Sequence, residues 1–186
     1  MPQWLQAGGW GLLAGSALLV GAAVGYLARV PQKIIASVMA FGAAGDVLLE
    51  LMFMAGVAAF AAGHVTAICL YLANRRPGLG LRDCAVPALL MLVGAAMPFV
   101  LLAGSDGMLP FLIYSLLLSA MAATAWLSRF PRPLTGVGAL LFVASDALIA
   151  LRMSQPQLEL GAAIWLLYYA GQLLVFTGVS LSPPRR

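Results

Sequence analysis

Two aspartates sit where charge is hardest to accommodate. Asp46 lies in AAGDVLLEL at 43–51, and Asp146 lies in VASDALIAL at 143–151. Both are embedded in apolar sequence with no basic residue beside them. A pair of carboxyl groups in such surroundings suits proton chemistry, one group donating a proton while the other holds a positive charge or activates water. Other polar side chains fall in similar apolar runs: Glu50 one turn after Asp46, His64, Ser145, and the Tyr168, Tyr169 and Gln172 group. Tyr169 and Gln172 are three apart and share a helix face, whereas adjacent tyrosines point in different directions. Arg152 follows Asp146 by six residues and can either snorkel to lipid phosphate or meet an anionic group of a ligand.

Competing chemistries have less support. No HExxH, paired CxxC, Walker loop or G-x-S-x-G elbow occurs, and nothing has zinc-ligand spacing. A Ser-His-Asp site could draw on Ser145 and His64, but no local motif supports it. The polar set fits acid/base work by carboxylates without a metal or other cofactor. A structural reading stands beside this one. A buried Asp can stay neutral, bond Ser145 or a carbonyl, and act only as glue between helices. Likewise His64 can be a structural hydrogen-bonder, and Glu50 a solvated helix end.

The elements that position these residues follow from composition. Of 186 residues, 63% are hydrophobic and only 9% charged, and the mean hydropathy is +1.00. A water-soluble domain carries about 25% charge, and one of this size cannot hide so much apolar surface. The chain therefore reads as one integral membrane domain over 1–186. Apolar runs at about 8–28, 34–51, 53–73, 84–104, 108–128, 133–151 and 159–180 predict an all-α bundle of about seven transmembrane helices. The first run reads as a retained helix rather than a signal peptide. Residues 34–74 are too many for one span, so a tight turn is expected near Leu51–Met54.

The charges test this count. Seven helices put Arg29, Lys33, Arg75, Arg76, Arg82, Arg129, Arg132, Arg185 and Arg186 on one side, and Arg152 on the other. The positive-inside rule makes the first side cytoplasmic, with the N-terminus outside and the C-terminus inside. Trp4, Trp10 and Trp126 fall near the expected interfaces. The basic residues sit in small clusters between spans, which is not a nucleic-acid signal. Cys69 and Cys84 imply no disulfide framework.

Asp46 and Asp146 are 100 residues apart in matching stretches, each 13 residues after its run's opening positions Lys33 and Pro133. Each is about 20 Å from the cytoplasmic end, at one depth. The match suggests parallel repeats about an axis along the membrane normal. A charge there costs about 2.5–3.5 kcal/mol on insertion scales, so such residues usually face the bundle interior or a wet cavity. Two at one depth suggest a shared polar cavity.

Three stretches together resemble the YhhN family of membrane proteins, whose eukaryotic relatives include lysoplasmalogenase. They are AAGDVLLEL at 43–51, GVAAFAAGH at 56–64, and the pair SDALIA at 145–150 and YYAGQLL at 168–174. Their order and spacing cover about 30–180. The chain departs from the family pattern in having Lys33-Ile34 where a Lys-Pro pair is usual and Ala67 where a Tyr is frequent. It also shows one helix fewer than the usual eight. The resemblance implies a hydrolase for the vinyl-ether bond of lysoplasmalogens, giving a fatty aldehyde and a glycerophospho-ethanolamine or -choline. Protonation of the vinyl ether needs one protonated and one ionised carboxyl, and Asp46 and Asp146 are the expected catalytic pair, with neither singled out as the acid. His64, Tyr169 and Gln172 would position water and the ether oxygen, with Glu50, Ser145, Tyr168 and Arg152 near the substrate. The partners would be a lysophospholipid substrate and membrane lipids, with room for a homo-oligomer, in a bacterial inner membrane. A small lipid or metabolite transporter or binding protein is the alternative, since parallel repeats with polar residues near the midplane suit transport as well. An assembly subunit is a third reading.

Overall fold

The computed structural model of the protein describes residues 32–182. The first apolar run, the Trp4 and Trp10 anchors, Arg29 and the Arg185–Arg186 end lie outside these residues, as do the side chains of Lys33 and Glu50. The described chain is all helical: α1 (Gln32–Leu51), α2 (Phe53–Ala73), α3 (Ala85–Leu101), α4 (Met108–Leu127), α5 (Val137–Ser154) and α6 (Gly161–Ser180). A short 3₁₀ turn at Leu81–Cys84 leads into α3, and a π turn at Arg132–Gly136 leads into α5. Five of the described helical segments are long and apolar enough to cross a membrane, so the chain is a multi-pass membrane protein. Within α1 the described side chains include a shorter apolar stretch, Ala40–Leu49, which carries Asp46.

The expected turn near Leu51–Met54 falls at Met52, whose extended backbone separates α1 from α2. Its N–H still bonds the Leu48 carbonyl at 2.7 Å, and the Gly56 N–H bonds the Met52 carbonyl at 3.1 Å. Gly56 lets the two helices close on each other, since a Cβ there would lie 2.5 Å from the Leu49 nitrogen. Leu51, Met52, Phe53 and Met54 form an exposed apolar tip.

The helices pack as three sequential antiparallel pairs: α1 with α2, α3 with α4, and α5 with α6. The core gathers Phe60, Leu70, Tyr71, Leu118, Met121, Phe142, Tyr168 and Phe176. Large apolar side chains such as Leu92, Val100, Ile113, Leu166 and Leu173 point outward. For a chain in water this would be a liability, but a lipid-facing surface is built this way. Inside the pairs the polar groups bond backbone. Ser115 Oγ donates to the Gly94 carbonyl at 2.7 Å, joining α4 to α3.

One end of the bundle is held by its basic loops. Arg76 donates to the Ser128 carbonyl at 3.1 Å, and Arg129 Nε to Asn74 Oδ1 at 2.9 Å. Arg132 pairs with Asp83 and lies over the Trp126 ring, 5.3 Å from its centroid. The Arg132 hydrogen bond holds the Asp83 carboxyl below the usual carboxylate range. A lowered carboxyl contributes above its unfolded value and loses that contribution as pH falls, so this loop contact weakens only in acid.

Candidate functional site

Asp46 and Asp146 both turn into one cluster of aromatic side chains, and each meets a tyrosine. Tyr168 of α6 donates its hydroxyl to Asp46 Oδ2 at 3.1 Å. Gln172, one turn further along α6, donates through Nε2 to that tyrosine oxygen at 3.2 Å. Asp146 of α5 lies within interaction range of the Tyr114 hydroxyl of α4. The same hydroxyl lies 3.2 Å from His64 Nε2 on α2. The two carboxyl–tyrosine pairs are linked by Phe142, whose ring centroid is 5.5 Å from His64 and 5.1 Å from Tyr168. Asp146 and His64 are buried, at 6% and 5% exposure, while Asp46 is half-buried.

Small residues bring the helices this close. A Cβ on Gly42 would sit 3.2 Å from Gln172 Nε2, and one on Gly45 would sit 2.7 Å from the Phe60 ring. The glycines one residue and one turn before Asp46 thus let α1 reach both α6 and α2.

The remaining expected residues divide. Of the adjacent tyrosines, Tyr168 makes the contact with Asp46 and Gln172. Tyr169 stacks on Trp165, with centroids 5.5 Å apart at 17°. Among the described residues its buried hydroxyl has no hydrogen-bond partner, and it lies within electrostatic range of Asp46. Ser145 Oγ donates to the Ile164 carbonyl at 3.0 Å and so ties α5 to α6 instead of facing the cluster. Arg152 is exposed in the last turn of α5. Glu50 belongs to α1, one turn beyond Asp46.

Tyr114 is the residue that sequence reasoning missed. Its signal was present, because it is the single tyrosine in the 108–128 run, and a buried phenol needs a partner. Phe142 and Trp165 carried no comparable signal, since aromatic residues in a membrane helix are usually packing. Among the described residues, no group of three His, Cys, Asp or Glu side chains is arranged to hold a metal.

These features define a multi-pass helical membrane protein with two carboxyl–tyrosine pairs on one aromatic cluster inside its bundle. The chain belongs to the YhhN family, whose profile matches residues 10–179. It is 31% identical over 171 residues to a protein of Mycobacterium bovis named lysoplasmalogenase, covering 87% of this chain and 66% of that one. A Mycobacterium tuberculosis protein of the same name matches to the same extent. A lysoplasmalogenase of Sus scrofa is 34% identical over 172 residues, covering 88% of this chain and 69% of its own. The chain thus spans about two thirds of the length of these curated relatives. No solved structure is significantly similar.

Proposed function

We propose that the protein is a membrane hydrolase that cleaves the vinyl-ether bond of lysoplasmalogen-type lipids. The products are a fatty aldehyde and glycerophospho-ethanolamine or -choline. The observation that carries this reading is the pairing of each intramembrane aspartate with a tyrosine on one shared cluster. The names of the relatives point to the same substrate.

The chemistry asks for an acid and a base. R–CH=CH–O–R′ and water give R–CH₂–CHO and HO–R′. An acid adds a proton to the alkene carbon distal to oxygen, leaving an oxocarbenium ion. Water adds to that ion and loses a proton to a base, and the hemiacetal collapses to aldehyde and alcohol.

The hydrogen bonds suggest which carboxyl does which. Tyr168 accepts from Gln172 and donates its one proton to Asp46, an arrangement that suits Asp46 as a carboxylate. Tyr114 is not committed in this way. It can accept from a protonated Asp146 and donate to His64 Nε2, because a neutral imidazole nitrogen takes either role. Asp146 therefore serves as the acid, and Asp46 as the carboxylate that faces the cation and receives the water's proton. Tyr169 has a hydroxyl to spare for that water, with His64 and Gln172 holding their tyrosines in place. Arg152 lies six residues beyond Asp146, about 9 Å along the helix, within reach of a lysolipid phosphate. The location we propose is a bacterial inner membrane, and the distribution of basic residues supports an orientation with the N-terminus outside.

The direct test is mass spectrometry of a lysoplasmalogen incubated with purified protein. Release of the chain as a free aldehyde supports the reading. Transport of the lipid across proteoliposomes without chemical change favours the transporter instead. Tyr168→Phe removes the hydroxyl that bonds Asp46 but keeps the ring. A hydrogen bond to a charged group is worth about 1.5–3 kcal/mol, so turnover should fall roughly 10- to 150-fold. Tyr169→Phe removes a hydroxyl that has no partner among the described residues, so it should leave thermal stability unchanged.

A further inference from the structure

We infer that the apolar seam running from the carboxyl–tyrosine cluster toward the basic end of the bundle holds the single aliphatic chain of the substrate, with Ala67 and Val175 setting the length it accepts. The inference rests on the lysolipid reading above and adds to it a chain site. Two adjoining clefts form the seam, between the α1–α2 pair and α6. The first begins at the cluster, lined there by His64, Phe142 and Gln172. The second ends among Leu70, Phe176 and Val179. Both touch Val38, Ala67, Tyr71 and Val175, which therefore stand at the junction; Ala67 is the smallest of the four.

Polarity falls along this path in the way an amphiphile requires. His64 and Gln172 stand at one end, each against a tyrosine of the cluster, and the far end is aliphatic and aromatic. The seam follows α2 from His64 toward Tyr71, and α6 from Gln172 to Val179, seven residues in each case. That is about 10 Å of helix beyond the cluster. Arg152 lies on the opposite side of Asp146, so a headgroup at Arg152 and a chain in the seam would put the bond between them at the carboxyl groups. Ala67 is buried at 6% exposure, and a larger side chain there would fill the junction.

The experiment uses saturated alkyl-ether lysolipids of one headgroup and increasing chain length, which lack the vinyl bond and are not hydrolysed. Binding is measured in one detergent for wild type, Ala67→Leu and Val175→Leu. Partition into detergent is the same for every variant, so the wild-type to variant ratio isolates the seam. The ratio should stay near one for chains too short to reach the junction. Beyond that length it should rise about fourfold for each methylene displaced. Leu166→Ala, on the exposed face of α6, should give a ratio of one throughout. Should Ala67→Leu fail to fold, Val175→Leu at a half-buried position carries the test. A ratio independent of chain length in the folded variants overturns the inference and means that bulk lipid or another part of the chain fills the seam. Chain-length selection without aldehyde release from a vinyl lipid would leave the chain site standing and remove the hydrolase reading.

Discussion

Asp146→Asn should lower aldehyde release by about 10²- to 10⁴-fold, the range lost when a positioned general acid is removed. Asparagine keeps the size of the side chain and can still bond the Tyr114 hydroxyl, but it has no acidic proton to give to carbon. Folding should survive, because the substitution puts no new charge inside the membrane. Asp46→Asn should also fall by at least about 10²-fold, since the amide neither balances the oxocarbenium ion nor takes a proton from water. Two residues that act in one step lose their effects jointly, so the double variant should be little worse than Asp146→Asn alone. The route also leaves a label. In deuterated water, wild-type product should carry one deuterium on the carbon next to the aldehyde, because that is where the acid delivers its proton. Turnover near wild type in either folded single variant, or aldehyde without that label, would sink the two-carboxyl mechanism.

The sequence made some of this legible and hid the rest for physical reasons. Apolar runs separated by basic loops predicted the described helices and the break near Met52, because lipid leaves a spanning segment few options but a helix. Asp46 and Asp146 were legible for the same reason, as charge in lipid is costly enough to be noticed. Partner choice was hidden. The shared helix face of Tyr169 and Gln172 was a sound local argument, but the rotation of α6 against α1 presents Tyr168 to Asp46. That rotation is set by packing between helices far apart in sequence. Tyr114 was missed because its run holds no charge, and a hydroxyl costs too little to stand out from a hydropathy pattern. Ser145 was read from its place beside Asp146, yet neighbours on a helix face different ways, and its hydroxyl turns to α6. The helix at 8–28 and the parallel repeat drawn from the 100-residue offset of the two aspartate stretches stay as expectations.

Gly171→Ala should destabilise the protein by about 1–3 kcal/mol, the usual cost of overpacking a tight contact. At the crossing of α5 and α6, a Cβ on Gly171 would lie 2.8 Å from the Gly138 carbonyl oxygen, and one on Gly138 would lie 2.8 Å from the Gly171 carbonyl. Backbone meets backbone, so no flexible side chain can swing aside. Small residues at such crossings are how membrane helices approach closely enough to gain packing energy. The separation also matters for chemistry, because α5 carries Phe142 and Asp146 while α6 carries Tyr168, Tyr169 and Gln172. A methyl group at the crossing would spread the two helices and draw one side of the cluster from the other. Misplacement of about 1 Å can cost 10²-fold in rate, so turnover should fall by about that much even below the melting temperature. Gly138→Ala should match it, being the other half of the same contact. Gly161→Ala, in the first turn of α6 with open space around it, should change neither quantity. Thermal unfolding in detergent and aldehyde release read the two effects separately. If Gly171→Ala melts and turns over like wild type, the crossing is not what holds the two carboxyl groups to one cluster.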